Sequence, residues 1–249
     1  MVNPKKDNPL TFFDHLEELR FRIIRSVVVV LVATCLIFVY ANSITAFLIR
    51  PVGRVIFTAP GEAFGTVMLL SLISGVILSM PYILLECWFF IASALTDSER
   101  KYIGIFAPLS LLLFVLGCAF GYFALLPVMM KFFLSFSSPE IEPMIAIGKY
   151  IAFVGNLVLS CGIIFEMPLA IAFLAKIGIA SPAFLIDKRK YAILIIFVVS
   201  AVLTPSPDCF SQVLMAVPLM ILYEISIVLS RWIYGSTRPA KGGACSPLV

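Results

Sequence analysis

Charges and turn residues divide the chain into six apolar runs, at 23–40, 67–94, 103–126, 150–175, 191–203 and 210–229. Long apolar runs in this number predict membrane-crossing helices, because a hydrocarbon core of ~30 Å takes about 20 residues at ~1.5 Å each. The fifth run is short and reaches only roughly 20 Å as a helix, which predicts local bilayer thinning around it. Outside the runs, 41–66 and 127–149 stay rich in apolar residues and predict interfacial helices. "TPSPD" at 204–208 predicts a tight, proline-stiffened turn.

A separate pattern precedes the first run. On a helix, Phe12, Leu16, Leu19 and Ile23 share one stripe, and Asp14, Glu18, Arg22 and Arg25 lie opposite. This predicts an amphipathic helix over about 10–22, lying on the membrane surface and leading into the first span. Glu18 and Arg22 have the i, i+4 spacing of an ion pair. His15, the only histidine, reads as an interfacial side chain.

Composition agrees with the pattern. The chain is 61% apolar and 13% charged, with a mean hydropathy of +1.09, which excludes an ordinary soluble domain. Residues 1–232 read as a single six-span membrane domain and 233–249, without periodicity, as a disordered cytoplasmic tail. The six cysteines fall singly and read as small hydrophobes. With the N-terminus inside, fourteen of the eighteen basic residues lie on the cytoplasmic side, so both termini are expected there.

Three intramembrane acids stand out. Glu166 lies roughly 15 Å along its helix from the boundary at Lys176, near mid-membrane, with Pro168 two residues on. An ionised carboxylate there costs on the order of 3 kcal/mol, which predicts a functional polar site coinciding with a kink. Glu224 and Glu86 lie in the last and second runs; protonation would neutralise the first and the interface is within reach of the second, and a structural and a functional reading stay open for both. Gly117 and Gly121 form a G-x-x-x-G suited to close helix packing.

"HLEELRFR" at 15–22 resembles the N-terminal signature of the TatC family, the multispan receptor of the twin-arginine protein translocase. "MPYILLECWFFIASALTDSER", "FEMPLA", "LTPSPDCFSQ" and "LYEI" resemble further family motifs in the same order. Ser93 departs from the family's common proline. The resemblance implies an all-helical bundle of six spans with short fifth and sixth helices, in the bacterial inner membrane. It implies that Glu18 and Glu99, with Arg20 and Phe90 at motif positions, bind twin-arginine signal peptides. It implies partners that are TatB-like and TatA-like single-span proteins, with self-association in a receptor complex, Glu166 and Glu224 being candidate contacts within the lipid bilayer. No cofactor, metal or nucleic acid is implied. The chain lacks G-x-S-x-G, H-E-x-x-H and a second histidine, which argues against an enzyme. A proton-coupled small-solute transporter using Glu166 is the alternative, weakened by the absence of a detectable repeat.

Overall fold

The structure, a computed structural model, describes residues 12–50, 52–53, 55–93, 95, 100–137, 143–178, 180–204 and 208–237, with side chains from 16 to 233 within those ranges. It is all-helical, the described residues adding only one isolated parallel bridge, Ile56 with Ala146. The helices are α1 (Phe12–Ile49), α2 (Pro60–Ser93), α3 (Ile103–Phe120), α4 (Leu126–Leu134), α5 (Ile147–Phe165), α6 (Met167–Lys176), α7 (Pro182–Asp187), α8 (Arg189–Leu203) and α9 (Cys209–Thr237). A π-helical turn, Gly121–Leu125, joins α3 to α4. There the Leu126 amide donates to the Gly121 carbonyl, and Pro127, which has no N–H, follows directly.

Among the described residues, five helical stretches are long and apolar enough to cross a membrane: Leu16–Ile49, Pro60–Ser93, Ile103–Leu134, Ile147–Lys176 and Cys209–Ile233. In the first, only 11% of the most apolar window is buried inside the protein, so its outward side chains are matched to lipid rather than to a protein core. Helix α8, at 15 residues, reaches about 22 Å. It is short, as its sequence run is, and exposes Leu194, Ile195, Val198 and Val202.

The N-terminal amphipathic segment is continuous with the first span: α1 runs unbroken for 38 residues with no proline or glycine to stop it. Two expectations are corrected. The outer segments after the first and third runs extend those helices, to Ile49 and Leu134, rather than forming interfacial helices. The last helix is not short: α9 has 29 residues, since Arg231 ends the apolar run but not the backbone hydrogen bonding, and its continuation to Thr237 moves the start of any tail beyond 232. The rest of the expected tail, 238–249, and Pro205 to Pro207 of the outer turn lie outside the described residues.

The chain falls into two compact units, Met1–Leu111 with Met144–Gly155, and Leu112–Pro143 with Asn156–Val249. In the first, α2 buries Ser71, Gly75 and Ser79 and α1 buries Ala33, Ile37 and Ala41, two stripes that repeat every four residues. Small side chains at that spacing let helix backbones approach closely, which is how helices associate where lipid removes the hydrophobic drive. At Gly75 the approach is tightest, since an added Cβ would lie 2.9 Å from both Cα and N of Thr34. Trp88 on α2 meets Phe106 on α3 with ring centroids 5.7 Å apart.

The ends of this unit opposite Glu18 are tied by polar groups. Ile56 N–H donates to Ile145 O at 2.9 Å and Ile147 N–H to Ile56 O at 2.8 Å. The Glu62 carboxylate accepts from Thr58 N–H at 2.5 Å, Thr58 Oγ1 at 2.6 Å and Gly148 N–H at 3.2 Å, satisfying donors that helix starts leave open. Tyr150 Oη donates to Leu48 O at 2.8 Å.

In the second unit the G-x-x-x-G of α3 packs as expected. A Cβ at Gly117 would lie 2.5 Å from Cys161 O and 2.9 Å from Gly162 Cα on α5, and one at Gly121 would lie 3.1 Å from Cys161 Cβ. Cys161 is buried in this contact, whereas Cys35, Cys87 and Cys209 are exposed. Phe132 on α4 stacks on Phe210 of α9, with centroids 3.7 Å apart and planes 14° apart. Tyr223 of α9 donates to Leu185 O at 2.8 Å, and Gln212 Nε2 to Phe197 O of α8 at 3.1 Å.

Candidate functional site

Charges inside apolar helices must be paired or wet, so the site is built by following them. On α1, Glu18 and Arg22 lie one turn apart. Arg22 Nη2 donates to Glu18 Oε1 at 2.5 Å and Nε to the same oxygen at 3.1 Å. Its remaining terminal nitrogen, Nη1, crosses to α2 and donates to Glu86 Oε2 at 2.6 Å. The other Glu86 oxygen accepts from Tyr82 Oη at 2.7 Å, one turn earlier on α2. The result is a chain of charged hydrogen bonds, Tyr82–Glu86–Arg22–Glu18, that fastens α1 to α2.

Burial sets its weight. The side chains of Glu18, Arg22 and Glu86 are 28%, 19% and 13% exposed, between the open surface, where pairs are worth about 0–1 kcal/mol, and the interior, where breaking a pair costs ~3 kcal/mol or more. The Glu18–Arg22 contact, the more exposed, lies near the lower figure and the Arg22–Glu86 contact nearer the upper. Beside the cluster runs a groove of about 390 Å³ whose walls include Leu19, Ile23, Val27, Ile83 and Phe90, with Arg22 and Glu86 also lining it. An apolar trough with paired carboxylates along it suits a ligand that is part hydrophobic and part cationic.

The sequence-selected residues divide as follows. Glu18 is in the cluster and Phe90, half-buried, lines the groove beside it; Arg20 is exposed. Glu99 lies outside the described residues, as do the side chains of Asp14 and His15. Glu86, for which the sequence left a structural and a functional reading open, is an integral part of the cluster, and Arg22 is its centre rather than half of an isolated helix pair. Either charge was visible in the sequence; their meeting across 64 positions was not.

Glu166 sits between α5 and α6, and the expected coincidence of kink and acid is present. Its own amide falls back to a tighter bond with Ile163 O, at 3.1 Å, one residue before Met167 and Pro168 begin α6. The side chain is half-buried and its Oε1 is shielded from solvent. Glu224, for which the sequence left a structural and a functional reading open, is ion-paired: Arg189 Nη2 at the start of α8 donates to its Oε2 at 2.7 Å. Arg189 lies between two apolar runs, where no pattern on one helix pointed to it as a partner.

These features define a class. The chain is an all-helical, multi-span membrane protein whose charges tie helices together and line an apolar groove. A family model described as "Sec-independent protein translocase protein (TatC)" matches residues 14–218, and the chain belongs to that family. It is thus a component of the twin-arginine protein translocase. The TatC protein of Carboxydothermus hydrogenoformans is 40% identical over 232 residues, covering 92% of this chain and 96% of its own. That of Aquifex aeolicus is 39% identical over 90% of this chain and 95% of its own, and TatCd of Bacillus subtilis 38% over 88% and 91%. A solved structure described as the twin arginine translocase receptor TatC superposes with a TM-score of 0.81 at 38% identity, covering 88% of this chain and 99% of that one.

Proposed function

We propose that this chain is the signal-peptide receptor of the twin-arginine translocase and the scaffold on which TatA-like and TatB-like single-span proteins assemble for export of folded cargo. In this reading it crosses the bacterial inner membrane six times, α8 being the fifth crossing, with both termini cytoplasmic. The observation that supports it most is chemical. The protein already holds a guanidinium between two carboxylates, Glu18 and Glu86, at a groove that Phe90 lines. That arrangement suits the paired arginines and apolar stretch of a twin-arginine signal peptide.

The mechanism follows from the fit of guanidinium to carboxylate. A planar, always-charged fork donates two hydrogen bonds in parallel, which a lysine ammonium does not reproduce. Glu18, with Glu99, which follows α2 in sequence, and Arg20 positioned nearby on α1, takes the arginine pair, and the apolar part of the peptide runs along Leu19 and Phe90. Glu166 and Glu224, with the polar side chains near them, offer hydrogen bonds to partner helices within the lipid. Self-association in the complex belongs to the same reading.

The test is binding of twin-arginine and twin-lysine peptides to the full chain in nanodiscs. Glu18→Gln and Glu99→Gln are each expected to weaken twin-arginine binding by roughly tenfold to a hundredfold, the equivalent of about 1.5 to 3 kcal/mol of charged hydrogen bonding. Together they fall short of additive, because both grip one arginine pair. Equal affinity for the two peptides on the unmodified protein overturns the receptor reading.

A further inference from the structure

We propose that Arg22 is an intramolecular stand-in for a signal-peptide arginine at Glu18, and that Glu86 is the positioning residue that receives Arg22 when the peptide displaces it. The inference rests on the receptor reading of Glu18 and adds to it two residues and an exchange step.

Three observations carry it. Arg22 engages Glu18 through Nε and Nη2, both on Oε1, which is the kind of two-donor guanidinium contact an incoming arginine makes. Its contact with Glu86 uses a different nitrogen, Nη1, which also lies 3.5 Å from the Glu86 carbonyl oxygen. Breaking the Glu18 contact therefore leaves Arg22 seated on α2 rather than stranded, and avoids the uncompensated charge that makes breaking such pairs costly. Finally, Tyr82 Oη holds the second Glu86 oxygen, so the receiving carboxylate is oriented before the exchange takes place.

Affinity then depends on what is displaced as well as on what is bound. An arginine replaces one forked donor by another, whereas a lysine evicts the same fork with a single ammonium and ends with fewer charged hydrogen bonds. The cost of evicting Arg22 is the same for both, so Arg22 raises the threshold for every cationic peptide by one common factor and leaves the preference for arginine to Glu18 itself. A plain structural brace, with Arg22 merely holding α1 against α2 and Glu18 in place, makes the opposite prediction for its removal.

The experiment measures both peptides on Arg22→Gln, Arg22→Lys, Glu86→Gln and the Arg22→Gln/Glu86→Gln double variant of the full chain in nanodiscs, with Arg25→Gln as a control for lost positive charge. Removing the Arg22 contact from Glu18 by Arg22→Gln is expected to tighten twin-arginine binding by about three- to tenfold, the scale of one partly exposed ion pair, and to tighten twin-lysine binding by the same factor. Arg22→Lys shifts both in the same direction with no change of net charge, and it carries the test if Arg22→Gln does not survive extraction. Glu86→Gln weakens twin-arginine binding because Arg22 then has only Glu18, and the double variant behaves like Arg22→Gln alone. Arg25→Gln changes both peptides equally and less. If the unmodified protein prefers twin-arginine yet Arg22→Gln and Arg22→Lys bind it no better, or worse, the stand-in is overturned and the receptor reading survives. If the unmodified protein shows no preference, the receptor reading fails and this inference with it.

Discussion

Replacing Gly117 by alanine puts one methyl group where α3 and α5 meet. It would lie 2.5 Å from Cys161 O, 2.9 Å from Gly162 Cα and 2.9 Å from Phe165 Cβ. Carbon atoms rest about 3.5–4.0 Å apart, and none of these three atoms can rotate away. The helices must therefore separate by roughly 0.6–1 Å there, loosening the neighbouring contact in which Gly162 faces Phe114 and Cys118. Overpacking of this kind costs about 1–3 kcal/mol, against which alanine's helix preference returns at most about 1 kcal/mol. Taking the net loss at the middle of that range, about 1–2 kcal/mol, and each kcal/mol as worth about 2–4 °C in a chain of this size, the melting temperature should fall by roughly 2–8 °C. Gly104→Ala, earlier on the same helix with nothing within 4 Å, should leave it unchanged or raise it slightly. Gly162→Ala should behave like Gly117→Ala. Thermal scans by circular dichroism in one detergent compare all three with the unmodified chain. If Gly117→Ala melts at or above the unmodified protein while Gly104→Ala behaves as stated, the close approach of the two helices is not what the spacing of these glycines secures.

Glu62→Ala removes the acceptor shared by Thr58 and Gly148, and faster hydrogen exchange is expected at those amides, with Arg22 and its partners unaffected; unchanged protection would mean the bridge at Ile56 suffices alone. Removing either member of the Arg189–Glu224 pair should destabilise the α8–α9 contact, modestly because both side chains are about half exposed, while the double leucine variant recovers most of the loss; a double-mutant cycle in melting temperature with no coupling would show the pair to be idle. Glu166→Gln should retain most crosslinking to a partner helix and Glu166→Leu should lose it, signal-peptide binding being spared in both; crosslinking and transport intact in the leucine variant would make the acid purely structural. A single cysteine at Ser206, in a chain otherwise free of cysteine, should react with an impermeant reagent from the outer side if α8 is a crossing; labelling from the cytoplasmic side alone would make it part of a re-entrant hairpin.

How far the sequence carried these results depended on the range of the physics involved. Period and length are local properties, so the long helices, the brief α8 and the break at Glu166 and Pro168 were legible from residues within a turn or two of each other. The glycine spacing of α3 was legible for the same reason, although its partner, Cys161 and Gly162 on α5, was not. The misreadings occurred where a change in side-chain polarity was taken for a change in backbone. Arg231 suggested an end to the last helix, yet a helix needs only its i→i−4 bonds and continues past it. Pairings distant in sequence were the other gap. Arg22 with Glu86, and Arg189 with Glu224, each join charges that reasoning on one helix at a time had not brought together.

The unbroken length of α1 has a mechanical consequence. Thirty-eight residues make a rod about 57 Å long, nearly twice the hydrocarbon thickness. Without proline or glycine to act as a joint, it resists bending and moves as a lever. A tilt of about 10° swings one tip relative to the other by roughly 10 Å, on the rise per residue of an α-helix. At one tip is Glu18, loaded with Arg22; near the other is Leu48, whose carbonyl is held by Tyr150. Any rearrangement of the carboxylate cluster that tips α1 is therefore felt, without relay through intervening side chains, at the far hydrogen bond.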